Sequence, residues 1–293
     1  GVNPTMKYPV NGLGHEGVGV VVEVGENPEG LKAGDRVALE PYVPCLKCHM
    51  CAEERWNNCA DLHVCGVHKD GMMTEYFLHP TRQCFKIPDD MTFIHAALVE
   101  PFTIGLHGAT RARVKAGEHV VVFGAGVIGL MASFACINYG ATPILVDIIQ
   151  ERLDEAKAMG VPFTFNSRNG GVEEYLKEVI NGKLPEAMID CTGAPSILAE
   201  MHNYVCHGGR IALVGWPHDP VMINTVRLMQ KEIDVLPSRN SNKKFPEAIK
   251  LIHEGKLPVD ALTTRTCKLE EVETVIQDMI KNPADYLKVV VEI

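Results

Sequence analysis

Cys45, Cys48, Cys51 and Cys59 stand in the spacing C-x2-C-x2-C-x7-C. Four thiolates this close in sequence converge on one tetrahedral zinc, and a site with four protein ligands is closed to substrate. Disulfides explain such clusters in short secreted chains, whereas this sequence runs to 293 residues and is expected to carry no secretory leader. Four unrelated buried thiols would not fall into so regular a pattern. The stretch therefore predicts a structural zinc lobe, which staples the fold and catalyses nothing. The other cysteines (Cys65, Cys84, Cys136, Cys191, Cys206, Cys267) are dispersed, as reduced thiols of a cytoplasmic protein would be.

Charge narrows the partners. Lys+Arg 28 against Asp+Glu 37 leaves a net charge of -9, with the charges scattered, which argues against a nucleic-acid or anionic-membrane surface. No apolar run approaches the roughly 20 residues of a membrane span. A hydrophobic share of 46% is enough for about two packed domains of roughly 150 residues each. The expectation is a soluble, cytoplasmic α/β protein. The chain opens Gly1-Val2-Asn3-Pro4 and runs quickly into a dense motif, as though upstream residues of the first domain were absent.

Residues 1–100 are rich in valine, glycine and proline. Short β-branched runs at 17–24 and 36–39 are separated by turn signals at Gly25-Glu26-Asn27-Pro28 and Ala33-Gly34-Asp35, which predicts an all-β region of short strands. The pattern changes at a turn, Val99-Glu100-Pro101. Strands are then expected at 119–123, 143–147, 162–165, 187–190, 210–214 and 232–236. Helices fall between them at 127–139, 150–159, 172–180 and 196–204. This alternation predicts a doubly wound parallel sheet. Amphipathic helices at 245–253 and 270–280 and a strand at 287–293 close the chain.

The strand ending at Phe123 leads directly into Gly124-Ala125-Gly126-Val127-Ile128-Gly129, a G-x-G-x-x-G between strand and helix. Gly124 suits the tight turn, Gly126 lets backbone approach a pyrophosphate, and Gly129 lets helix and strand pack closely. Such turns also occur without a ligand, so the second strand matters. Asp147 ends it 18 residues after Gly129, where an acid takes both ribose hydroxyls of NAD. Ile148, Ile149 and Gln150 offer no arginine for a 2′-phosphate, which favours NAD over NADP. Arg152 is compatible with packing along the adenine or with a solvated helix face.

Gly14-His15-Glu16 precedes the first valine-rich strand. In sequence order follow the four-cysteine lobe, Val99-Glu100-Pro101 and the glycine-rich turn. Further matching stretches are Glu23-Val24-Gly25, Ala33-Gly34-Asp35-Arg36-Val37, Gly71 to Glu75-Tyr76, and Gly208-Gly209-Arg210. In this order the chain resembles zinc-dependent medium-chain alcohol dehydrogenases, over essentially its whole length. It is nearest the branch of sorbitol, L-threonine and hexonate (L-gulonate/L-galactonate 5-) dehydrogenases. The run Ser238-Arg239-Asn240 through Lys244-Phe245-Pro246 is similar to the hexonate members.

The resemblance implies a Rossmann domain at 102–237, inserted in a β-rich GroES-like catalytic domain at 1–101 and 238–293, with the active cleft between them. It implies a catalytic zinc held by His15 and Glu100, with Glu16 as an alternative ligand or beside the metal, in addition to the structural zinc. It places Gly124, Gly126, Ile128, Gly129, Asp147, Arg152, Val214, Gly215, Leu236 and Pro237 along the cofactor, Thr103 near the nicotinamide, and Arg239 in the substrate pocket. A homotetramer or homodimer is implied. The reaction expected is NAD-dependent oxidation of a secondary alcohol on a polyol or sugar acid, and Arg239 favours the acid because a guanidinium pairs bidentately with a carboxylate. Asn240, Asn242 and Lys244 fit a hydroxyl-rich substrate or, equally, a solvated turn. His63 and His68 are candidates for a proton relay or ordinary loop histidines. Trp216 suits a wall of the substrate cleft or a place on the cofactor domain's rim.

One departure stands out: the family's first catalytic cysteine lies upstream of G-H-E, and no residue here corresponds to it, so the ligand set in this sequence is incomplete. Two other functions stay open. An L-threonine 3-dehydrogenase would need an acidic partner for the substrate ammonium, and no residue supplies one. A non-catalytic NAD-binding relative would account for the missing cysteine but leaves His15, Glu16 and Glu100 unexplained.

Overall fold

Runs such as His-Val-Val-Val-Phe and Thr-Pro-Ile-Leu-Val-Asp are apolar without alternation, which suits strands covered on both faces. The computed structural model describes residues 12–293 and divides the chain into two units. One comprises the chain through Thr103 together with Asn242–Gly255 and Val259–Ile293; the other is Ile104–Ser241 with Lys256–Pro258.

In the first unit, β1 (Val18–Val20), β2 (Arg36–Leu39) and β5 (Cys84–Lys86) form an antiparallel sheet in the order β1-β2-β5. Between β2 and β5 the antiparallel pair β3 (Tyr42–Val43) and β4 (His63–Val64) pinches off the cysteine lobe. That lobe holds a short helix, His49–Ala52, and a 3-10 turn, Trp56–Asn58. The expected strand over 17–24 is shorter: its register with β2 covers Val18–Val20.

The second unit carries six parallel strands: β6 (His119–Phe123), β7 (Thr142–Asp147), β8 (Phe163–Asn166), β9 (Ala187–Asp190), β10 (Arg210–Leu213) and β11 (Asp234–Pro237). Their spatial order is β11-β10-β9-β6-β7-β8, with β6 paired to both β7 and β9. This is the doubly wound α/β arrangement expected, and its order reverses between β6 and β9. Val121, Phe123, Ile144, Val146, Met188 and Ile211 are fully or almost fully buried in its core. The last strands, β12 (Thr263–Lys268) and β13 (Lys288–Glu292), pair in parallel in the first unit.

Two elements differ from expectation. Val99-Glu100-Pro101 is the first turn of a 13-residue helix, Val99–Arg111, rather than a turn. A proline breaks a helix only where its missing N–H would have bonded four residues back, and at the third position there is no such partner. The first hundred residues are also not purely β, since Phe93–Ala97 is helical and capped by the Thr92 hydroxyl, which accepts from the His95 N–H at 3.1 Å.

Candidate functional site

The cysteine lobe is built by local turns. Leu46 adopts a left-handed φ of 61° between the first two cysteines. All four thiols are free of disulfides. Their sulfur atoms lie within 4.8 Å of one another, and Cys48 Sγ stands 3.6 Å from Cys51 Sγ and 3.9 Å from Cys59 Sγ. A tetrahedron of sulfurs about 2.3 Å from zinc has edges of about 3.8 Å, so the four cysteines fit the ion. Backbone N–H groups point at the sulfurs: Cys45 N–H donates to Cys59 Sγ at 3.2 Å. Amides of Ala60 and Cys51 hold the Cys48 thiol down at about 6, while burial pushes Cys51 up to about 12.

The second cluster is assembled from distant segments. Residues 12–14 lie along residues 71–73, with Gly71, Met72 and Met73 N–H groups donating to Gly12, Gly14 and Leu13 carbonyls at 2.9–3.0 Å. A Cβ on Gly71 would fall 2.4 Å from the Leu13 carbonyl, so only glycine permits this approach. The contact presents His15 and Glu16, and the first turn of helix Val99–Arg111 brings Glu100 to them. One ligand atom from each of His15, Glu16 and Glu100 lies within 4.8 Å of the others. An imidazole with two carboxylates suits zinc.

Each of these side chains is held by another. The Tyr42 hydroxyl donates to Glu100 Oε1, and both residues are buried. Lys288 Nζ, at the start of β13, donates to Glu16 Oε2. Burial lowers the pKa of His15, and the nearby Lys288 charge adds to this, which keeps the imidazole in its neutral, ligating form. Burial raises Glu100 to about 7, opposed by the Tyr42 hydrogen bond and assisted by Glu40. Burial also lowers Lys288 to about 8. Tyr42 and Lys288 are residues that the sequence did not point to.

At the carboxyl end of β6, Gly124 adopts a φ of 99° and turns the chain into helix Val127–Asn138. A Cβ on Gly129 would sit 1.7 Å from the Gly124 carbonyl oxygen, whereas one on Gly126 would meet nothing within 4 Å. The turn is thus closed on its inner side and open on its outer side. Ile128 lies in the first turn of that helix, and Arg152 in helix Gln150–Ala158 after β7. Asp147 ends β7 and accepts from the N–H groups of Ala125 at 2.5 Å, Ile148 at 2.7 Å and Ile149 at 2.9 Å. Val214 and Gly215 follow β10, their N–H groups donating to the Asp190 carbonyl at 2.8 and 2.9 Å, and Leu236-Pro237 end β11. All the sequence-derived cofactor residues therefore cluster at or beyond the carboxyl ends of one sheet, the side on which such sheets bind dinucleotides.

Other expected residues have local employment. Thr103 is buried, and its hydroxyl donates to the Glu100 carbonyl at 2.6 Å. His68 Nδ1 accepts from the Val64 N–H at 3.0 Å. Asn242 accepts from the Trp56 N–H at 3.2 Å and donates to the Glu54 carbonyl at 3.1 Å, which ties the return segment to the cysteine lobe. Lys244 pairs with Glu247 at 2.7 Å. Arg239 is exposed and follows β11 in the second unit, while the His15 cluster belongs to the first. Trp216 is exposed. Among the described residues no helix is long and apolar enough to cross a membrane.

Known proteins resemble the chain over nearly its whole length. The alcohol dehydrogenase GroES-like domain matches residues 1–89, and the zinc-binding dehydrogenase domain matches residues 127–254. An uncharacterized zinc-type alcohol dehydrogenase-like protein of Haemophilus influenzae is 39% identical over 290 residues, 99% of this chain and 84% of that protein. Sorbitol dehydrogenase of Bacillus subtilis is 32% identical over 282 residues, 95% of this chain and 80% of that protein. The crystal structure of a short chain alcohol dehydrogenase (rspB) from Escherichia coli CFT073, complexed with NADH, superposes with a TM-score of 0.92 at 32% identity, covering 98% of this chain and 85% of that one.

Proposed function

The chain belongs to the zinc-dependent alcohol dehydrogenase family, and from that premise we propose that it oxidises a secondary hydroxyl of a polyol or sugar acid to the ketone, with NAD as hydride acceptor. The observation that carries the reading is the gathering of His15, Glu16 and Glu100, which are 84 residues apart in sequence between Glu16 and Glu100, around a space their ligand atoms share. When bound there, zinc supplies a Lewis acid for the substrate oxygen, and NAD supplies the hydride acceptor.

The chain's own residues do the rest. His15 offers a neutral imidazole nitrogen. Glu100 is oriented by Tyr42 at Oε1, which leaves Oε2 to accept a proton or face the cation. Glu16 is steadied at Oε2 by Lys288. Gly126 leaves room for a pyrophosphate, and Asp147 presents an acceptor-only carboxylate to a ribose diol; these two residues support NAD. Arg239 recognises a substrate carboxylate through its two parallel N–H donors, which supports the sugar acids. The similarity to sorbitol dehydrogenase of Bacillus subtilis supports a hydroxyl-rich substrate.

The test is NADH formation by the full chain on hexonates and on the matching hexitols. We expect the acids to be preferred, and Arg239→Gln to raise KM for the acids by about 10- to 100-fold, the scale of a charge-assisted hydrogen bond of ~1.5–3 kcal/mol, with little change for hexitols. Equal turnover of both classes, or an Arg239→Gln effect on both, would remove the carboxylate from the argument.

A further inference from the structure

Asp190, the last residue of β9, is a fully buried carboxyl that the reaction as described does not use. An ionised carboxylate in such a place is costly unless donors or an opposite charge compensate it. Here the donors are local. Asp190 Oδ1 accepts from the Thr192 N–H at 3.1 Å and from the Thr192 hydroxyl at 2.6 Å, and Oδ2 accepts from the Gly193 N–H at 3.0 Å. The Thr192 hydroxyl in turn accepts from the Ala194 N–H at 3.0 Å. Burial pushes the Asp190 carboxyl up, and the Thr192 and Gly193 donors oppose it. One side chain thus fixes the run 192–194.

The place of this run in the sheet gives it a use. β9 stands between β6 and β10, so its outgoing turn lies between two turns that the dinucleotide reading already employs. On the β6 side the Cys191 N–H donates to the Phe123 carbonyl at 2.9 Å, and a Cβ on Gly124 would fall 3.0 Å from Thr192 Cγ2. On the β10 side the Asp190 carbonyl accepts from Val214 and Gly215. There the backbones touch: a Cβ on Gly215 would fall 2.2 Å from the Gly193 nitrogen, and one on Gly193 would fall 2.6 Å from the Trp216 carbonyl carbon. A turn wedged this closely passes any change in its conformation to both neighbours. Dinucleotides lie across the crevice where the strand order reverses, which here is between β6 and β9. Asp147 ends β7, on the far side of β6, where it serves the adenosine half. The turn after β9 is therefore the lip of the crevice that meets the other half.

The geometry points to Asp190 as a positioning residue for the cofactor: its carboxylate holds Thr192 and Gly193 in the conformation that seats the β9 lip between the glycine-rich turn and the 214–216 turn. The inference rests on the reading of the 124–129 turn as a dinucleotide site. Being fully enclosed, Asp190 acts through those two residues and not by contact with the cofactor. The role needs a carboxylate, because both oxygens accept. An asparagine has one acceptor oxygen, and its amide nitrogen would meet the Gly193 N–H donor against donor.

The experiment measures binding of NADH and of 5′-AMP to the full chain by calorimetry, with far-UV circular dichroism showing that each variant is folded at the assay temperature. 5′-AMP probes the adenosine half alone. In Asp190→Asn the Kd for NADH should rise about tenfold, the cost of re-ordering a loosened turn on binding, while that for 5′-AMP stays at the wild-type value. Thr192→Val, which removes the hydroxyl and keeps a methyl over Gly124, should raise the NADH Kd by a smaller factor. Thr192→Ser, which retains the hydroxyl, should recover most of that loss. Unchanged NADH affinity in folded Asp190→Asn overturns the proposal. So does an equal loss for NADH and 5′-AMP, which would make Asp190 a structural residue. Should Asp190→Asn fail to fold, Thr192→Val decides by the same two criteria. If the wild type binds neither ligand, the dinucleotide reading itself fails, and this inference falls with it.

Discussion

Gly126 and Gly129 lie three residues apart on the same turn, yet alanine should act on them in opposite ways. At Gly129 the new methyl would begin 1.7 Å from the Gly124 carbonyl oxygen, where ordinary contact starts near 3.4 Å. The turn must therefore move by roughly 1.5 Å, and overpacking of this kind costs about 1–3 kcal/mol or more. For a unit of this size that is a fall in Tm of roughly 3–10 °C. At Gly126 the methyl meets no protein atom within 4 Å, and φ is -76°, which alanine adopts freely. The gain of about 0.4–1 kcal/mol from a stiffer unfolded chain is offset by alanine's poorer helix N-capping, so stability should change by less than about 1 kcal/mol. The methyl does, however, occupy the open side onto which a pyrophosphate would close. Gly126→Ala should raise the Kd for NADH at least tenfold, or by about 1.4 kcal/mol, with an unchanged melt. Fluorescence titration with NADH and thermal melting by circular dichroism separate the two effects. Wild-type NADH affinity in Gly126→Ala would refute the placement of the dinucleotide, and a wild-type melt in Gly129→Ala would refute the close approach of helix and turn.

Two other outcomes follow from charge and metal chemistry. Cys59 is fully buried in its lobe, and Cys59→Ser should abolish tight zinc binding there and lower the stability of the first unit, while NADH affinity persists; zinc analysis with NADH titration checks this. Burial raises Glu40 from 4.5 to about 7, so between those values the folded metal-free protein keeps a proton that the unfolded chain has lost. The contribution of Glu40 to stability is thus present below pH 4.5 and lost as pH rises through 7. Relative to Glu40→Gln, the metal-free wild type should lose about 3 kcal/mol across this window in denaturant melts, and parallel curves for the two proteins would contradict the burial argument.

The second unit was legible from sequence because its information is local. Each strand is a short apolar run bounded by turn residues, and the order of strands and helices dictates a doubly wound sheet; expected and observed strands agree to within about two residues. The cysteine lobe was legible for the same reason, since all four ligands fall within one short loop. Glu100 was legible as a candidate residue, but its helix was not, because Pro101 reads as a breaker unless its place in the first turn is known. Tyr42, Lys288 and Glu40 were hidden. Tyr42 meets Glu100 across 58 residues, and Lys288 meets Glu16 across 272, so no spacing rule connects them. Asn242 shows the limit of such a reading: its polar run fitted a hydroxyl-rich substrate or a solvated turn equally, and in the fold its side chain is spent on the backbone of Glu54 and Trp56. Composition shows that a side chain can bond, and only tertiary structure shows with what.

The most direct test of the account is NAD reduction by the full chain with a polyol or sugar acid, before and after the histidine–carboxylate metal is removed by mild chelation and after zinc is restored. The account predicts that turnover is lost and recovered with the metal, while NADH affinity and the zinc of the cysteine lobe stay constant throughout. Turnover that continues at full rate once that site has been emptied would contradict it.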